Sequence, residues 1–197
     1  MNGRPRYPKI GDMRISQIAM EARTTGPPRR RGFTLFGLLF ALAVVSLLVT
    51  LFIPIYDRAK SNATMRATLA DLDMWQRAVQ AYISDHGMAP TNPGGRIRYK
   101  KPILRDMLDY LPHIRSTDWW GNNYLIWTGP GNHEYGIRTA GKTDVILVST
   151  GKGGLRETWT FDPARPQAGL YEIRETSDYE KDIVVWNGRL ARGPFSR

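Results

Sequence analysis

Between Arg31 and Asp57 the chain carries no charged side chain. Within that stretch, Phe33–Ile55 is a run of 23 uncharged residues, FTLFGLLFALAVVSLLVTLFIPI. As a helix it rises roughly 1.5 Å per residue, enough to cross a hydrocarbon core of about 30 Å. The run therefore predicts one membrane-spanning helix near the N-terminus. Arg29, Arg30 and Arg31 precede it, and the mixed set Asp57, Arg58 and Lys60 follows. One-sided positive charge predicts a cytoplasmic N-terminus and an outward-facing C-terminal part. A removable secretory signal is the competing reading, but its apolar region would be only about 7–15 residues long. Here the run continues into a helical pattern instead of a cleavage site.

Charge is unevenly placed. The 197 residues carry a formal net charge of +10, and Met1–Gly32 alone accounts for +6, with eight basic residues against Asp12 and Glu21. A strongly basic chain raises nucleic acid or anionic lipid as a partner, and most of the excess sits just before the apolar run. The absence of cysteine excludes disulfides, thiol nucleophiles and cysteine zinc sites. His86, His113 and His133 stand too far apart to show metal-ligand spacing.

Beyond the apolar run the helix is expected to continue to about Asp85. Met65, Leu69, Leu72, Val79 and Ile83 recur at helical steps, with Trp75 and Tyr82 adjoining. They form a core-facing stripe, and Arg66, Asp71, Asp73 and Arg77 are assigned to the opposite side. Gly87 and Pro90 supply a stop. A short helix is expected over Pro102–Leu111, with Ile103, Met107, Leu108 and Leu111 on one face. Arg96, Arg98, Lys100 and Lys101 surround Tyr99. No fold-level nucleic-acid motif accompanies them, so they read as a solvated loop and not as a nucleic-acid contact. Strands are expected at Tyr124–Thr128, Glu134–Thr139, Val145–Ser149, Glu157–Phe161 and Leu170–Arg174, separated by Gly-rich turns.

Several of these segments carry a family resemblance. Arg29-Arg30-Arg31-Gly32-Phe33-Thr34-Leu35 resembles the processing site of type IV prepilins and type II secretion pseudopilins. The resemblance implies that a prepilin peptidase cuts between Gly32 and Phe33 and methylates the new N-terminal Phe33. Pro54 then falls at mature position 22, where that family commonly has proline. A proline costs the helix a hydrogen bond and favours a kink or local melting. Tyr82-Ile83-Ser84-Asp85-His86-Gly87-Met88-Ala89-Pro90 resembles the helix exit of the major type II pseudopilin. Asp118-Trp119-Trp120-Gly121-Asn122-Asn123-Tyr124 resembles its Asp-Pro-Trp-Gly-Asn-Pro-Tyr signature, read here as a packing motif. One position departs: mature position five, usually Glu in the family, is Gly37. That departure points toward a minor or tip-proximal subunit or a divergent branch, with close helix approach at the Gly as the plainer reading, whereas the globular motifs point toward the major subunit.

The resemblance also implies a calcium loop. Ser149-Thr150-Gly151-Lys152-Gly153-Gly154 and Asp182-Ile183-Val184-Val185-Trp186 resemble the segments that flank it, and Ser149, Asp178 and Asp182 are the candidate ligands. Calcium takes six to eight oxygens, several from carboxylates. Gly153 stands where the family has a loop Asp, so the ligand set is short and a structural turn is the preferred reading. Another segment, Gly136-Ile137-Arg138-Thr139-Ala140-Gly141-Lys142-Thr143, satisfies the phosphate-loop pattern letter for letter. That cradle needs a helix after the loop, and the β-forming run Val145–Ser149 follows instead. A hairpin turn is expected there.

The expected fold is α+β: a basic leader over 1–32, an N-terminal helix over 33–86 that spans the membrane over 33–55, and a globular periplasmic part over 87–197 with a small antiparallel sheet. The expected role is non-enzymatic and without cofactor, calcium aside: a pseudopilin in the filament of a type II secretion system, held in the bacterial inner membrane by one span. Its partners would be the prepilin peptidase, other pilin or pseudopilin subunits and an inner-membrane assembly platform. A minor type IV pilin for adhesion, motility or DNA uptake is the alternative, and an unrelated single-pass protein with a periplasmic binding domain the third.

Overall fold

The computed structural model describes residues 34–92, 95–97, 102–111, 113 and 115–195. Gly32, Phe33, the leader before them and the basic residues Arg98, Lys100 and Lys101 lie outside the described residues. The chain divides into two units, residues 1–48 and 49–197. In the described part of the first unit, helix α1 (Leu35–His86) begins. Thr34 caps it, its Oγ1 accepting the Gly37 N–H at 3.1 Å, and its carbonyl accepts the Leu38 N–H. The helix is unbroken through Pro54, so no local melting occurs there.

In the second unit α1 supplies one wall of the core. Met65, Leu72, Trp75 and Val79 are buried, and Leu69, Tyr82 and Ile83 pack partly buried beside them. Arg77 and Asp73 pair across one exposed turn at 2.6 Å. Asp71 departs from its expected exposed place. It is buried and accepts a long, 3.4 Å hydrogen bond from the Tyr124 hydroxyl, because it adjoins Leu72 at the edge of the buried stripe. Helix α2 is shorter than expected, Pro102–Asp106. Ile103 and Met107 are buried, but Leu108 lies 52% exposed, off their face.

A five-stranded sheet faces α1. Its strands are β1 (Leu125–Thr128), β4 (Val145–Ser149), β6 (Ile183–Trp186), β7 (Arg189–Pro194) and β5 (Leu170–Tyr171), in that spatial order. β1–β4, β4–β6 and β6–β7 are antiparallel, while the edge pair β5–β7 is parallel, so the sheet is mixed at one edge. Side chains alternate between two cores, as strand geometry demands. Ile126, Val145, Leu147, Ile183 and Val185 join α1. Leu125, Trp127, Ile146, Val148, Val184 and Ala191 face a second cluster containing Tyr135, Ile137, Trp159 and Phe161. Burial on both faces is why β4 opens with the unbroken apolar run Val145 to Val148 before the polar Ser149.

One tight turn splits an expected strand, and a second joins β6 and β7, two strands that the sequence pattern did not predict. Glu134–Thr139 is not one strand. It folds into β2 (His133–Glu134) and β3 (Ile137–Arg138), joined at Tyr135 and Gly136 with φ of 53° and 71°. Two successive positive φ values are the mark of a type I′ hairpin. Tyr135 tolerates that backbone because its ring is buried and its hydroxyl is bonded. The same device joins β6 to β7 through Asn187 and Gly188, at φ 44° and 91°. Glu157–Phe161 forms no strand. It crosses the outer face of the sheet as an extended segment, pinned where the Phe161 N–H donates to the Tyr135 carbonyl.

Candidate functional site

Two places have chemical consequences: the apolar part of α1 and the paired loops at the end of β4. Along α1, the apolar side chains from Leu35 to Tyr56 are exposed, among them Phe36, Phe40, Leu47, Phe52 and Ile55. A helix that is apolar all round needs apolar surroundings. By length and composition α1 is able to cross a membrane, the only such helix among the described residues. Gly37 places no carboxylate in this stretch, and none occurs from Gly32 to Tyr56.

The second place begins at Asp118. Its side chain is buried, and Oδ1 accepts the N–H groups of Trp120 and Asn122 at 3.0 and 2.8 Å. Its Oδ2 accepts the Ser149 hydroxyl at 2.7 Å. Burial pushes the Asp118 carboxyl up from its ordinary value, and the Ser149 hydroxyl and neighbouring N–H groups offset part of that. Asn122 extends the junction, donating from Nδ2 to the Gly151 carbonyl at 2.7 Å. The Asp118–Tyr124 motif is therefore a polar clasp on the β4 loop. Of its aromatic residues only Tyr124 is fully buried, and Trp119 remains 49% exposed with Arg115 stacked over its ring at 4.1 Å.

The loop then meets the segment before β6. Gly151, at φ +57°, lies so close that a Cβ there would stand 2.5 Å from the Lys181 carbonyl oxygen and 2.7 Å from that of Tyr179. The Lys152 N–H donates to the Tyr179 carbonyl at 2.7 Å. Asp178 sits in the 3-10 helix Thr176–Glu180. Its Oδ2 accepts the N–H groups of Arg174 and Glu175 at 2.8 and 3.0 Å, and its Oδ1 accepts the Lys181 ammonium at 2.5 Å. Burial alone would raise its pKa, but the Lys181 ammonium and the two N–H groups prevail and hold it down at about 2.

Asp182 is turned toward other partners. It is fully buried, and its Oδ2 accepts the Tyr135 hydroxyl at 2.6 Å and the Glu157 N–H at 2.9 Å. Glu157 reciprocates by accepting the Asp182 N–H at 2.9 Å, and Arg192 grips Glu157 with two bonds of 2.7 and 2.9 Å. Burial pushes the Asp182 carboxyl up, against the Tyr135 hydroxyl and Glu157 N–H that lower it. Asp182 Oδ1 is buried without a partner.

Of the expected calcium ligands, then, Ser149 serves Asp118, Asp178 serves Lys181 and its own helix, and Asp182 serves Tyr135 and Glu157. No hydrogen bond joins any two of the three, and among the described residues no group of three or more His, Asp or Glu is placed to hold a metal. Calcium needs six to eight oxygens, and this arrangement leaves one orphan carboxylate oxygen, so the residues present do not fit it. Glu157, Arg192 and Tyr135 escaped the sequence reading. Their signal was faint: Tyr135 and Glu157 fell in segments expected to be plain strands, and Arg192 lies 35 positions beyond Glu157, past every expected strand.

The phosphate-loop letters, Gly136 to Thr143, cover β3 and the turn after it, which leads into β4; β3 pairs with β2 and β4 with β1 and β6, so this turn is not the expected hairpin. Asp144 Oδ2 closes that turn by accepting the Ala140 and Gly141 N–H groups, both at 2.8 Å. β4, not a helix, follows, so the letters spell a turn.

The chain is similar to type II secretion system core protein G of Escherichia coli strain K12, 26% identical over 121 residues, 57% of this chain and 82% of that protein. It is also similar to the protein of the same name from Pectobacterium carotovorum subsp. carotovorum, 27% identical over 146 residues, 68% of this chain and 87% of that protein. No family model matches the chain. No solved structure matches it.

Proposed function

We propose that this chain, a relative of the type II secretion pseudopilins, is a non-catalytic structural subunit of a type II secretion pseudopilus. The observation that carries the reading is α1: one continuous helix, apolar and exposed from Leu35 to Tyr56, then a core element of an α+β domain from Ser61 to Val79. Such a helix can anchor the subunit in the inner membrane with its domain on the periplasmic side. It can then bundle with the helices of like subunits in a filament, whose head-to-tail contacts do not close. The basic leader and the Gly32-Phe33 junction fit cleavage and N-methylation of Phe33 by a prepilin peptidase before assembly on an inner-membrane platform. Gly37 removes the buried carboxylate that would pair with a neighbour's N-terminal amine, and it lets helices approach closely instead. Deleting the gene should strand secreted proteins in the periplasm, with export restored by the intact gene. Unchanged export in the deletion strain would refute the secretion role.

A further inference from the structure

The geometry points to a loop junction that closes without a metal ion, with the Lys181 ammonium supplying the positive charge that the acidic segment needs. A calcium site and the observed arrangement compete for the same oxygens. Asp178 has spent both carboxylate oxygens on two N–H groups and an ammonium. The Tyr179 and Gly151 carbonyls are taken by the Lys152 N–H and Asn122 Nδ2. Ser149 Oγ faces Asp118 and also accepts the Gly151 N–H at 3.2 Å. The one orphan oxygen belongs to Asp182, whose other oxygen is tied to Tyr135 and Glu157. A dication entering here would have to displace several of these bonds and would meet a second cation at Lys181.

Lys181 is well placed for the task. Its side chain is 34% exposed while that of Asp178 is 6% exposed, so the pair lies at the rim with the carboxylate inside. The ammonium also stands 4.8 Å from the centre of the Tyr171 ring, a position that suits a cation over an aromatic face. One side chain thereby joins the 3-10 helix, strand β5 and the segment entering β6. The Glu157–Arg192 pair does the corresponding work around Asp182, with Arg192 5.2 Å from the Trp159 ring. This inference concerns the folded domain and stands whether or not the filament reading holds.

The test uses the full-length protein in detergent, freed of metal by chelation, with thermal unfolding followed in excess EGTA and in millimolar calcium chloride. The two midpoints are expected to coincide, and calorimetric titration with calcium to give no binding heat. Lys181→Met is expected to lower the midpoint by roughly 2–4 °C and to speed hydrogen exchange at the Arg174 and Glu175 amides, with calcium present or absent. A calcium-dependent rise in the parent midpoint, or saturable calcium binding by calorimetry, would overturn the inference. So would a Lys181→Met protein with the parent's midpoint and exchange rates.

Discussion

Asp178 holds the 3-10 helix from inside, and its charge is what makes it useful there. Its folded pKa of about 2 lies below the ordinary carboxylate value of 3.8. The stability it contributes is therefore complete above the ordinary value and is lost as pH falls through about 2. Asp118 and Asp182 act in the opposite sense. Their values are raised by burial, so the native state gains relative to the unfolded one as they take up protons. Asp178→Asn should therefore cost most near neutral pH, and its gap from the parent should narrow as pH falls toward 2. Urea unfolding of the two proteins at neutral and acid pH measures this, and a pH-independent gap would show that the carboxylate charge does nothing.

Elements were legible where their pattern was local. The stripe Met65, Leu72, Trp75 and Val79 has helical spacing and is buried, and the β-forming run Val145–Ser149 is a strand with the expected bounds. Glu157–Phe161 misled because its apolar residues alternate as in a strand. Trp159 and Phe161 do pack on the outer core, but their backbone has no ladder partner. The β6–β7 hairpin had a clear signal that went unread, Asn187-Gly188, the commonest type I′ pair. Asn187 also bonds across to β4, its Oδ1 accepting the Val145 N–H at 2.8 Å and its Nδ2 donating to Asp144 Oδ1 at 2.6 Å. Gly188→Ala puts a Cβ on a backbone at φ +91°, and left-handed strain costs about 1–2 kcal/mol. Denaturant unfolding should show that loss, and an unaffected midpoint would mean the turn does not set the strand pairing. The polar clasp was only half visible. Asp118 and Ser149 stood out by resemblance, but that they bond to each other follows from β1 pairing with β4, which no local pattern encodes.

At the scale of the molecule, one helix serves two solvents. Its uncharged stretch suits hydrocarbon, where a charge near the centre costs roughly 2.5–3.5 kcal/mol, and its later turns complete a water-soluble core. That division was plain in the sequence because charge is absent from Gly32 to Tyr56 and returns at Asp57. In the proposed pseudopilus role that division would have a purpose: anchoring before assembly, bundling after it. Gly37 stands where the pseudopilin pattern usually has a carboxylate, so in the proposed filament helix packing would rest on close apolar contact instead of an ion pair. The most direct test of the account is the intact mass and N-terminal sequence of the protein recovered from membranes, with and without a prepilin peptidase. A prepilin-type subunit should yield a chain that begins at N-methylated Phe33 only when the peptidase is present. An uncut chain, or one cut beyond Ile55, would contradict that reading.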